Sequence, residues 1–138
     1  MGVLVIQRKI QLKYQGSCHC HAVVFEIEAP ELLEVEDCNC SICAKAGFQH
    51  LIIPLSNFSL LKGAGSLSEY RFNTGVAKHT FCSHCGVKPF YTPRSNPDGI
   101  DINARCLDGG PHKIKVTKFD GQNWEQNASS LAHKSVDS

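Results

Sequence analysis

The sequence predicts an all-β domain organised around a four-cysteine structural zinc. Three observations carry that expectation. Short apolar or alternating runs recur along the 138 residues, separated by Gly, Pro, Asn and Ser. No long segment keeps a helical period. Seven of the eight cysteines fall into three tight groups, CHC at 18–20, CNCSIC at 38–43 and CSHC at 82–85, leaving Cys106 alone.

Taken in chain order, Val23, Phe25 and Ile27 alternate with polar or smaller residues, so a strand is expected over 22–28. Further strands are expected at 48–53 (FQHLII), 67–72 (LSEYRF), 76–81 (VAKHTF), 87–92 (VKPFYT), 99–104 (GIDINA) and 114–119 (IKVTKF). GAG at 63–65, NTG at 73–75 and RSNPDG at 94–99 supply turns. The good helix formers in SICAKA predict a short helical turn after Cys40. No repeat, linker or composition shift divides the chain. It reads as one domain over 1–138, with a motif-bearing core at about 16–124 and a polar tail, 125–138, expected to fray.

Composition excludes several classes. Hydrophobic residues make up 42% and charged residues 20%, as in ordinary globular domains. A formal net charge of +1 gives no electrostatic case for nucleic acid or an anionic membrane. The longest apolar runs, such as LIIPL at 51–55, are too short to span a bilayer. MGVLVIQRKIQLKY lacks the apolar h-region and cleavage site of a signal peptide. The chain therefore reads as cytoplasmic, with the nucleus open, and in a reducing compartment clustered cysteines bind metal more often than they form disulfides.

Two thiolates on one zinc lie about 3.8 Å apart, each about 2.3 Å from the metal. Cys18 and Cys20 meet that requirement if the chain turns there, and Gly16 is placed to help. FCSHCGV is the stronger signal: a C-x-x-C turn followed by glycine is the usual half of a thiolate site. The redox reading of C-x-x-C expects a βαβ context, whereas this one sits between strands. Two pairs make four ligands, so Cys18, Cys20, Cys82 and Cys85 are expected at a structural zinc. Cys38, Cys40 and Cys43 then supply three, the number a catalytic zinc takes from protein, and two zinc ions are expected in all. A closed second site, with Cys106 or a histidine as fourth ligand, and an iron–sulfur cluster are the competing readings. His50, His79, His112 and His133 read as structural or surface residues.

The order C-x-C, C-x-C-x-x-C and C-x-x-C-G resembles the glutathione-dependent formaldehyde-activating enzyme family. The resemblance extends to GSCHCHAVVFEIEAP, DCNCSICAKAG, IPLSNFSLLKG, FCSHCGVKPFY and CLD at 106–108, covering about 16–110. DCNCSIC, HTFCSHCGV and FYTPRSNPDG look closest to the branch containing centromere protein V. The resemblance implies a β-tent of antiparallel sheets, the same four-plus-three division of cysteines, and carbon–sulfur lyase activity joining formaldehyde to glutathione. One departure is His21, where the family usually has Gly after its first C-x-C, suggesting altered local geometry or a polar group facing the pocket.

Two functions follow as expectations. The first is a zinc-dependent carbon–sulfur lyase-like enzyme acting on a thiol adduct of an aldehyde, its small-molecule partner being glutathione-derived. Arg94, His21 and Lys45 are the residues considered for stabilising charge on the aldehyde oxygen. The second is a non-catalytic zinc-binding module holding a protein partner, which requires a coordinatively saturated second zinc.

Overall fold

A computed structural model describes residues 10–136. The N-terminal stretch that bears on the signal-peptide expectation lies, through residue 9, outside the described residues. Among the described residues, ten strands and two short α-helices follow one another, with short 3-10 segments between and after them: β1 (Gln11–Ser17), β2 (Val24–Pro30), β3 (Leu32–Cys38), α1 (Ser41–Ala46), β4 (Gln49–Pro54), β5 (Phe58–Lys62), β6 (Leu67–Tyr70), β7 (His79–Cys82), β8 (Phe90–Tyr91), β9 (Gly99–Asn103), β10 (Lys113–Phe119) and α2 (Trp124–Asn127). Among the described residues no helix is long and apolar enough to cross a membrane.

The strands form a three-stranded sheet in the order β1-β2-β5, a five-stranded sheet in the order β10-β3-β4-β9-β8, and a two-stranded sheet of β6 and β7. The chain is all-β in class, but its sheets are not all antiparallel. β10 runs parallel to β3, pairing Ile114 with Leu33 and Phe119 with Cys38. Strands so far apart in sequence are joined by a long excursion instead of a hairpin, which permits parallel pairing at the sheet edge.

Side-chain alternation explains why the central strands β4 and β9 are buried on both faces, while the edge strand β10 is exposed. Leu33 and Val35 of β3, Leu51 and Ile53 of β4, and Ile100 and Ile102 of β9 enter one core with Phe25, Ile27 and Ala29 of β2. The intervening residues, Glu36, His50, Ile52 and Asp101, are also buried and point to the opposite face. Phe25 is fully buried and packs edge-on against Phe90, with ring centroids 5.5 Å apart. Truncating it to alanine would cost about 3–5 kcal/mol. Gly16 does not make the turn expected of it: it lies within β1 opposite Phe25, where a Cβ would come within 2.3 Å of the Phe25 ring.

β1, β3 and β5 were not among the expected strands. Their burial is broken by exposed Leu12, Leu32 and Leu61, so apolar character does not mark the buried face. The polar tail packs against β4. It is helical across Trp124–Asn127 and Ala128–Ser135, with Leu131 and Ser135 buried. The Asn96 amide holds it, donating to the Leu131 carbonyl (2.8 Å) and to Ser135 Oγ (2.8 Å). Asp137 and Ser138 lie outside the described residues.

Candidate metal centres and active site

The CHC segment occupies the loop between β1 and β2, closed by Cys18 N–H donating to the Val23 carbonyl at 3.1 Å. The CSHC segment is the turn leaving β7, where Gly86, at φ 77°, donates its N–H to the Cys82 carbonyl at 2.9 Å. These two turns meet. The sulfurs of Cys18, Cys20, Cys82 and Cys85 all lie within 4.8 Å of one another. Cys20 Sγ is 3.7 Å from both Cys18 Sγ and Cys82 Sγ, the edge length of a tetrathiolate metal site. The Val23 N–H points at Cys18 Sγ and the His84 N–H at Cys82 Sγ, each at 3.4 Å.

The second cluster comes from one stretch of chain. Cys38 ends β3, Cys40 is the N-cap of α1, and Cys43 lies one turn into that helix. Gly47, left-handed at φ 65°, ends the helix by donating to the Cys43 carbonyl. This geometry brings the three sulfurs within 4.8 Å of one another. Cys38 is drawn together with its neighbours by β10: Gly121, two residues beyond that strand, is packed so closely that a Cβ there would approach Cys38 Sγ to 2.3 Å. Asn39 seals the corner, its Oδ1 accepting from the Gln122 N–H at 3.0 Å. All eight cysteines are free, and both clusters could hold metal ions.

Ionisation within the second cluster concentrates on Cys40. Hydrogen bonds from the Cys38 and Cys43 thiols hold Cys40 far below the ordinary thiol range. The contact with Cys40 pushes Cys38 up, and contacts with Cys38 and then Cys40 push Cys43 far up. Cys106 does not join this cluster. It is packed at the edge of the core, where burial, and then the nearby Cys18 sulfur, push it up to about 12.

A cavity of about 450 Å³ opens over Cys38, Cys40 and Cys43 and touches none of Cys18, Cys20, Cys82 and Cys85. His50 and Asp101 form part of its lining. His50 Nε2 lies 3.1 Å from Cys43 Sγ, and its Nδ1 lies 2.5 Å from Asp101 Oδ2. Burial opposes a charged His50, but Asp101 outweighs it and raises the imidazole pKa. Glu36, cross-strand from His50, is ion-paired to Lys134 of the tail. Burial raises its carboxyl in spite of that partner.

A ladder of rings forms another wall. Phe72 stacks on His79 at 5.3 Å, and His79 on Tyr91 at 4.7 Å. Lys88 Nζ sits 2.6 Å from His79 Nδ1 and 3.9 Å from the centre of the Tyr91 ring. Burial holds Lys88 down to about 8, and burial followed by Lys88 holds His79 down to about 4. Opposite, Arg94 lies 3.9 Å over the Trp124 ring and 2.5 Å from Glu125.

Among the residues considered for stabilising charge, Arg94 lines this cavity, while His21 and Lys45 are exposed and do not. His50 and His79, read from sequence as structural or surface residues, are both buried in its wall. For the His50–Asp101 pair the signal was present in the sequence: His50 shares a strand face with Ile52, and Asp101 interrupts the apolar run GIDI.

The profile of the glutathione-dependent formaldehyde-activating enzymes matches residues 13–126. The chain belongs to that family. A Halomonas elongata protein, provisionally named a glutathione-dependent formaldehyde-activating enzyme, is 37% identical over 122 residues, which span 80% of this chain and 78% of the relative. A crystal structure of a Rhodobacter sphaeroides protein, solved as a structural-genomics target, superposes with a TM-score of 0.65 at 34% identity. It covers 75% of this chain and 99% of its own. His21 is not among the residues lining the cavity. It is exposed and adopts φ 62°, the left-handed conformation that glycine takes most easily.

Proposed function

We propose that this member of the formaldehyde-activating enzyme family is a zinc-dependent carbon–sulfur lyase acting on a thiol adduct of an aldehyde, with a glutathione-type thiol and formaldehyde as the pair its relatives' names suggest. One observation carries the reading: three thiols gather at the wall of a cavity, and Cys106, the residue that could have closed the set, lies elsewhere. Cys18, Cys20, Cys82 and Cys85 would hold a structural zinc, and Cys38, Cys40 and Cys43 a catalytic one. Sulfur-only donor sets suit zinc, and the 3.7 Å sulfur separations at the first cluster fit it. When bound at the second cluster, zinc supplies a Lewis acid that keeps an incoming thiol in its nucleophilic thiolate form.

The chain's own residues do the remaining work. Gly121 leaves room for Cys38 and covers it. Asp101 and His50 hold Cys43 in place from behind, the arrangement by which outer groups orient ligands. Phe72, Trp124 and Leu131 line the cavity with apolar surface and limit water around the reacting carbon. A cytoplasmic location keeps all the ligating thiols reduced.

The deciding experiment loads the protein with zinc and follows exchange between free formaldehyde and its glutathione adduct by NMR. The expected result is acceleration by wild type and loss of it in Cys40→Ser, with one zinc retained. A folded Cys40→Ser protein of undiminished activity would remove the assignment.

A further inference from the structure

We propose that His79 is a catalytic residue of this site, donating a hydrogen bond from Nε2–H to the aldehyde oxygen as negative charge develops on it. The inference rests on the lyase reading and supplies the electrophile that reading lacks, since Arg94 is occupied by Glu125 and Trp124.

The geometry leaves His79 one free edge. Phe72 covers one face of the imidazole and Tyr91 the other, at interplanar angles of 25° and 14°. Lys88 Nζ, 2.6 Å away, takes Nδ1. The ring is 5% exposed yet lines the cavity, so it meets the cavity through the edge that carries Nε2. Lys88 also fixes which nitrogen bears the proton. An ammonium has donors and no lone pair, so Nδ1 must accept, and the neutral ring then carries its hydrogen on Nε2. Burial and the neighbouring ammonium keep the imidazole neutral at physiological pH, with a pKa of about 4. A neutral, prepositioned N–H is suited to polarising a carbonyl because it does not need to give up its proton.

The step balances simply. The thiolate sulfur donates an electron pair to the aldehyde carbon, the C–S bond forms, and the C=O π pair moves to oxygen. His79 Nε2–H hydrogen-bonds that oxyanion until a proton from water completes the hydroxymethyl thioether. Cleavage runs the same path in reverse.

Two measurements test this. In zinc-loaded protein, His79→Leu should lower kcat about 100-fold with little change in KM, and His79→Gln, whose amide can donate, should recover at least about tenfold of that loss. Zinc at both clusters should be unchanged in each variant. Independently of turnover, ¹⁵N NMR of wild type at neutral pH should show His79 with Nδ1 unprotonated and Nε2 protonated. An Nδ1–H or doubly protonated ring, or a His79→Leu kcat within twofold of wild type, would overturn the proposal. If wild type fails to accelerate adduct exchange, the lyase reading falls and the catalytic role with it. The NMR result separates the two failures, because the tautomer is read without any reaction.

Discussion

The two cysteine clusters place their sulfurs within the same 4.8 Å limit, yet they are built in opposite ways. The four-thiol cluster joins two turns whose cysteines lie up to 67 positions apart, and backbone N–H groups from Val23 and His84 point at its sulfurs. The three-thiol cluster comes from six consecutive residues. The His50 side chain meets Cys43, the backbone of Gly121 packs against Cys38, and the cluster opens on a cavity. A cluster that crosslinks distant segments stabilises the fold when it binds metal. One made from a single segment crosslinks little and is free to serve chemistry. On the proposed reading, damage to the first should therefore cost stability, and damage to the second should cost function.

The largest effect expected from this contrast is in Cys82→Ser. Cys82 is fully buried, and structural zinc sites contribute on the order of 10 kcal/mol to small domains. The variant should lose its cooperative thermal transition or purify as aggregate. A cooperative melt within about 5 °C of wild type would break the distinction. Cys40→Ser should show the opposite profile, with activity reduced by at least about 10³-fold, a melting temperature within a few degrees of wild type, and one zinc by native mass spectrometry.

Gly121→Ala tests the neighbourhood instead of the ligands. Its new Cβ would fall 2.3 Å from Cys38 Sγ and 2.9 Å from Cys40 Cβ, so the three-thiol site must distort. Competition with a chromophoric chelator should show zinc at that cluster weakened about 10–100-fold while the four-thiol zinc is held as in wild type. His50→Gln and Asp101→Asn should fall at the lower end of the same range, because they remove an orienting contact and leave all three thiols in place. Equal weakening at both clusters would point to a general loss of structure.

The smallest effect concerns pH. The folded-state pKa of His79, about 4, lies below its unfolded value of 6.5, so between these the unfolded chain binds the extra proton. The stability contributed by a neutral His79 is present above pH 6.5 and is lost as pH falls towards 4. Thermal melts across that window should fall less steeply for His79→Gln than for wild type, and identical slopes would contradict the assignment.

The two thiol clusters were legible in the sequence and their surroundings were not, for a physical reason. Cysteine spacing within one turn is a local property, so CHC, CNCSIC and CSHC could be read directly. The strands at 24–30, 49–54 and 99–103 announced themselves by alternation or apolar runs. His50 meets Asp101 only through the register of β4 on β9, and His79 meets Lys88 only because the chain doubles back after the CSHC turn. Gly121 reaches Cys38 because β10 pairs parallel with β3, and nothing in KIKVTKF specifies its partner. Such contacts are set by long-range pairing, which one sequence does not display.

The parallel pairing of β3 and β10 also orders events during synthesis. Chains emerge from the ribosome N-terminus first. Once residue 85 is out, both halves of the four-thiol cluster are available, and the crosslink can form on an incomplete protein. The three thiols of CNCSIC have emerged by then as well, but the residues that cover them, Gly121 and Trp124, are still to be made. On the proposed reading, a nascent chain can thus acquire the metal of the four-thiol cluster early, while the cavity over the three thiols is completed last.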